Sequence, residues 1–138
     1  MRFTPLLLIL LAACDPAPED TDVVDTDVPT DTDTDTPDVT FDDVHAVFND
    51  RCGPCHVTAG SGGMNIGAAD IDAAYADSQL AATGGTVGDF ALTRIENGSM
   101  PQGAGCTGDP AADAGNVACL SLDELELVQA WVAAGQPR

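Results

Sequence analysis

A small helical domain behind a long acidic leader is what this sequence predicts, on three observations. Apolar residues recur at helical spacing at both ends of residues 41–138: Phe41, Val44, Val47 and Phe48, then Leu122, Leu125, Val128 and Val132. Between them lie short Ala-rich runs and Gly-rich loops, with no βαβ alternation. Aromatic content is only 4%, low for a domain of this size that fills its interior with side chains alone. The pentapeptide Cys52-Gly53-Pro54-Cys55-His56, at the end of the first predicted helix, offers a way to add the missing apolar bulk.

Composition narrows the function before any motif is used. The 138 residues carry a formal charge of −19, with 23 acids against four arginines and no lysine. Residues 41–138 hold 13 of the acids and three arginines (Arg51, Arg94 and Arg138), a charge of −10. Such a surface disfavours nucleic acid and anionic headgroups and attracts a basic protein face.

Residues 1–13 read as an export signal, with Arg2 as its positive start and eight consecutive apolar residues from Leu6 to Ala13. Eight residues are too few to span a bilayer. The run ends Leu11-Ala12-Ala13-Cys14, which resembles the lipobox of bacterial lipoproteins. That resemblance implies cleavage before Cys14 and a lipid on its sulfur. The alternative is an ordinary cleaved signal with an unmodified cysteine. Residues 14–40 are low in complexity, with 10 acids among residues 15–40 and an Asp-Thr repeat over Thr30–Thr36. Nothing there can bury enough area to offset chain entropy, so a disordered tether is expected. As a coil its ends average about 30 Å apart, and fully extended it reaches about 90 Å.

The domain proper, residues 41–138, begins at Thr40, expected to cap the first helix by accepting from the amide of Asp43. His45 on that helix is read as a surface or propionate-side residue. Gly60 to Gly63 is a loop, followed by Met64 and Ile66 at alternate apolar positions. A second helix is expected over Ala68–Leu80, with Ile71, Tyr75 and Leu80 inward. Thr83 to Gly88 reads as a loop, and a short helix capped by Asp89 is expected over Phe90–Asn97, ended by Gly98. The last helix is announced by Ser121-Leu122-Asp123-Glu124, a capping box. Leu127 and Trp131 broaden its apolar stripe, and Trp131 is read as core. Gly135 and Pro137 stop it.

The chemistry-bearing residues follow from this layout. Two thiols spaced by two residues can form thioethers to the two vinyl groups of one porphyrin, and the next His is then held under the iron. Cys52 and Cys55 are the expected attachment points of a single haem c, with His56 as axial ligand. Met100, in Gly98-Ser99-Met100-Pro101, is the expected sixth ligand, with Met64 the other methionine available after the signal. Pro101 keeps Met100 out of helix. In an oxidising envelope the remaining thiols, Cys106 and Cys119, are expected to pair, a crosslink worth about 3 kcal/mol by loop entropy. Asp109 and Asp113, in the same segment, are alternative calcium or partner contacts.

Residues 40–138 resemble a class I c-type cytochrome domain of the small monohaem type found in bacterial envelopes. The resemblance rests on Phe48 through Cys52-Gly53-Pro54-Cys55-His56, on Gly88-Asp89 with Arg94-Ile95, on Met100-Pro101, and on the helix ending Ala130-Trp131-Val132-Ala133-Ala134-Gly135. It implies an all-α fold with crossed first and last helices, a haem held by Cys52, Cys55, His56 and Met100, and Arg94 near a propionate. The segment over 103–120 departs from the simplest members, as does the lack of any lysine docking ring. The function implied is a lipid-tethered, periplasm-facing electron carrier of the cell envelope. It would be no enzyme in itself, and its partner would be a redox protein with a basic face. An open sixth position would instead make a haem enzyme or sensor. Zinc or a redox dithiol at Cys52, Cys55 and His56 is a third reading.

Overall fold

The computed structural model describes residues 38–57 and 60–138. The export signal, Cys14 and the tether up to residue 37 lie outside the described residues.

Four helices carry the fold: α1 (Phe41–His56), α2 (Ile71–Ser78), α3 (Val87–Glu96) and α4 (Leu122–Ala133). The domain is therefore mostly helical. One correction to an all-helical expectation is a small antiparallel hairpin, β1 (Ala81–Ala82) with β2 (Gly85–Thr86), in which Ala81 pairs with Thr86 and Ala82 with Gly85. Thr83-Gly84 forms its two-residue turn, where Gly84 takes a φ of +90°. No described helix is long and apolar enough to cross a membrane.

α1 and α4 pack together through aromatic rings. Trp131 is fully buried, with its ring centroid 5.4 Å from Phe41 and 5.7 Å, edge-on, from Phe48. Tyr75 of α2 meets Phe41 at 5.3 Å. The Trp131 indole N–H donates to the Pro137 carbonyl, which also accepts from the Phe41 amide, each at 2.9 Å. The C-terminal tail thus ties the start of α1 to α4. Arg138 completes the tie by pairing with Asp42 and with Asp72, the latter at 2.5 Å.

Several helix boundaries move from the sequence expectation. α1 carries the pentapeptide at its C-terminal end, as expected, and includes all of it through His56. At its start Thr40 is the cap and forms a reciprocal capping box with Asp43, whose carboxylate also accepts from the Thr40 amide (2.8 Å) and hydroxyl (2.9 Å). α2 is shorter than expected because Asp70 caps it, accepting from the Ala73 amide. It buries Ala74, Asp77 and Ser78, whereas Leu80 lies beyond its end and is 57% exposed. α3 starts three residues early. Thr86 is its cap, and Asp89 occupies the third helical position, returning a bond to the Thr86 amide. α4 keeps its Ser121–Glu124 box, and Leu125, Val128 and Trp131 face inward while Leu122 is 56% exposed.

One close approach fixes where the end of α1 sits. A Cβ on Gly67 would lie 2.5 Å from the Gly53 nitrogen and 2.7 Å from the Phe48 carbonyl oxygen, both backbone atoms. The irregular segment leading to α2 therefore lies directly on the turn carrying Cys52 and Cys55. Asn49 and His45 hold it there, through the Gly67 carbonyl (2.9 Å) and the Ala68 carbonyl (2.8 Å). Gly67→Ala is expected to destabilise the domain by about 1–3 kcal/mol, read as a lower melting midpoint, because no flexible side chain can yield. An unchanged midpoint would contradict this packing.

Candidate functional site: a cavity at the end of α1

A cavity of about 430 Å³ opens between the end of α1, the middle and end of α3, and the strap following α3. That volume is within the range of small-molecule and cofactor sites. Its walls bring together Cys52, Cys55 and His56 from α1, Met64 from the following loop, and Met100 and Pro101 from the strap. Phe90, Ile95 and Leu120 supply apolar wall, and Arg51 and Arg94 the charged groups. His45 does not line it, so its expected propionate-side role is replaced by its bond to Ala68.

The helix sets the donor spacing. Cys52 and Cys55 are three residues apart on α1 and therefore share a face. His56 follows in the last turn, and its Nδ1 donates to the Ser61 carbonyl at 2.9 Å. A carbonyl only accepts, so Nδ1 carries a proton, and in the neutral ring this leaves the Nε2 lone pair for a ligand. The 3-10 turn Ser61–Gly63 flanks the ring, with a would-be Cβ of Gly62 at 3.6 Å from the imidazole Cε1. Met100 is held by its amide, which donates to the Arg94 carbonyl at 3.1 Å, beside the Ser99 amide on the same oxygen.

Two observations weigh on what the cysteines can do. They are free thiols, Cys52 half-buried and Cys55 exposed. Burial, reinforced by the neighbouring Cys55 sulfur, pushes the Cys52 thiol up to about 12. Such a thiol is neutral at physiological pH, unlike the activated thiolate of a redox dithiol. Among the described residues, a group of three or more metal-ligand side chains converges within 4.8 Å only at Cys106, Asp113 and Cys119. Cys52, Cys55 and His56 do not converge in this way, which disfavours zinc. Nor is Cys106–Asp113–Cys119 a metal centre. Its two sulfurs are joined in a disulfide, and Asp113 accepts from the Thr107 amide and hydroxyl at 3.0 Å. That bonding replaces the calcium alternative for Asp113.

The residues present fit a haem. The wall is largely apolar, two thiols and a lone-pair imidazole lie along one side, and a methionine lies on the strap. Buried Arg94 Nε has no hydrogen-bond partner. It is a cation at the cavity wall, stacked 5.7 Å over the Phe90 ring. An unpartnered buried donor of this kind asks for an anion such as a propionate. Arg51 is different, because it is already engaged. Its guanidinium grips the Glu124 carboxylate with Nη2 at 2.8 and 3.1 Å, and its Nη1 donates to the Val117 carbonyl.

Sequence reasoning missed that clamp, which ties the motif turn to the start of α4 and to the 103–120 segment. The available signal was scarcity, since a chain with so few cations and so many acids rarely leaves one unpaired. The clamp also has a pH consequence. Burial alone would raise the Glu124 carboxyl, but bonds from the Ser121 amide and Arg51 outweigh it, leaving a net lowering from 4.5. A carboxyl lowered on folding contributes stability above its unfolded value and loses it as pH falls through the folded value. Stability should therefore be fully present above 4.5 and be lost as pH falls below it, through the lowered folded-state value. Glu124→Gln should flatten that drop in denaturant titrations at several pH values; an identical slope would contradict the assignment. Comparison of the chain with family models, with curated proteins and with solved structures finds no match.

Proposed function

We propose that this protein is a monohaem c-type cytochrome of the bacterial cell envelope, tethered by lipid at Cys14, that carries electrons. The observation carrying the reading is the single cavity whose wall includes Cys52, Cys55, His56 and Met100. Haem, when bound, supplies a one-electron Fe(III)/Fe(II) couple and needs no substrate bond made or broken. Cys52 and Cys55 would anchor it by thioethers. His56, oriented by Ser61, and Met100, on the strap, would provide nitrogen and sulfur ligands, a pair that raises the reduction potential relative to His alone. Phe90, Ile95 and Leu120 exclude water, and Arg94 offers its unpaired Nε to a propionate.

Charge supports the kind of partner. Arg51 and Arg138 are engaged with acids and Arg94 lines the cavity, so the exterior of residues 41–138 is acidic. A partner with a basic face would be drawn to it, and salt would weaken the attraction. In stopped-flow oxidation, a cationic redox reagent should react about tenfold faster than an anionic one of similar potential, with the gap closing as salt is added. Equal rates with no salt effect would reject the electrostatic part of the proposal.

A further inference from the structure

The segment over 103–120 is the part of the domain that the proposed carrier function does not use. Its contacts converge on the strap holding Met100. That strap runs from Gly98 to Cys106 and contains Gly98, Gly103 and Gly105, all at positive φ. Such a stretch is conformationally loose by itself. α3 holds only its first part, through the Arg94 carbonyl.

The rest is held by the disulfide-closed loop. Cys106 and Cys119 are bonded across 13 residues, which fixes the strap's end. The backbone beyond Cys106 lies against the strap's beginning, since a Cβ on Gly98 would stand 2.6 Å from the Cys106 carbonyl oxygen. A Cβ on Gly108 would meet the Glu96 carbonyl oxygen at 2.0 Å. Asn116 Nδ2 donates to the Ala104 carbonyl at 2.9 Å, and Ala104 closes a turn onto the Pro101 carbonyl at 3.2 Å. The void between Met100 and the disulfide is only about 10 Å³, at the lower limit for one water. Little space therefore separates Met100 from the disulfide.

We propose that the disulfide-closed loop is a positioning element for Met100, with Cys106–Cys119 and Asn116 holding the sulfur toward the cavity. It does so by ordering a glycine-rich strap in advance, so that ligation incurs little further ordering cost. The inference rests on the reading of Met100 as an iron ligand.

The test uses purified full-length haem protein in three forms: Cys106→Ser with Cys119→Ser, Asn116→Ala, and Met100→Ala. Asn116 is exposed and its replacement leaves the disulfide intact, so Asn116→Ala decides the matter if the double variant does not fold. Asn116→Ala removes the bond to the Ala104 carbonyl and a second, within the loop, that Oδ1 accepts from the Ala118 amide; it should raise carbon monoxide association to the ferrous protein about fivefold. Loss of the crosslink should raise it at least about tenfold. In both, the red band that marks methionine sulfur on ferric haem should weaken, and peroxide should convert Met100 to its sulfoxide faster by peptide mass spectrometry. Helical circular dichroism and covalent haem should stay as in the parent. Parental band, association rate and Met100 oxidation in Asn116→Ala overturn the inference. A parent that lacks the band and matches Met100→Ala overturns the ligation reading, and this inference with it.

Discussion

Trp131→Ala is expected to cost about 3–5 kcal/mol of folding stability. No other side chain buries so much at the junction of α1 and α4. The ring is fully buried, contacts Phe41 and Phe48, and donates from its indole N–H to the Pro137 carbonyl that also anchors Phe41. Truncation would leave a cavity between the helices and remove one tie to the tail. For a domain of this size the melting midpoint should fall by roughly 20 °C. Trp131→Phe separates the two contributions. It keeps most of the ring packing and loses the hydrogen bond, so it should cost about 1–2 kcal/mol. Thermal melts followed by circular dichroism would check both. A loss under about 1 kcal/mol for alanine would mean that the α1–α4 junction is not the centre of the core.

Met100→Ala is expected to change the chemistry and leave the fold. Met100 is a partly buried strap residue, and its amide bond to Arg94 needs no side chain. Removal of the thioether should abolish the red ferric band and open the iron to carbon monoxide. Loss of a ligand that favours the ferrous state should lower the reduction potential by on the order of 100 mV or more. Met64→Ala is the matched control, because Met64 lines the same cavity from the other loop. Its spectrum should stay parental. A reversed result, with Met64→Ala losing the band, would reassign the ligand.

The ends of the domain were the most legible in the sequence, because local rules decide them. The Ser121–Glu124 box, the apolar face of α1 and the stop at Gly135 are short-range features, and each is found where its residues place it. The errors came from burial beyond the local pattern. Leu80 and Leu122 fit apolar stripes, yet each lies outside the arc covered by neighbouring helices. On α2 the expected Ile71 and Tyr75 do pack against the core, beside the fully buried small residues Ala74 and Ser78. Thr86 rather than Asp89 caps α3 because the hairpin delivers the chain at Thr86, and no propensity encodes that.

Within the cavity, residue types and spacing were readable, because the pentapeptide and Met100-Pro101 are contiguous motifs. Their supports were not. Arg51 with Glu124 spans 73 residues, Asn49 reaches Gly67 across 18, and the contact of Gly98 with Cys106 depends on how the loop closes. Such pairings follow from tertiary packing. The orphaned Nε of Arg94 is a fact of burial alone.

The proposed function stands on one haem joined to this chain through Cys52 and Cys55. The most direct measurement is mass spectrometry of the denatured protein purified from a bacterial envelope, with thiols alkylated before digestion. A single haem that survives denaturation is expected, carried on the peptide spanning Cys52 to His56, with neither thiol alkylated. An unmodified peptide bearing two alkylated thiols would contradict it.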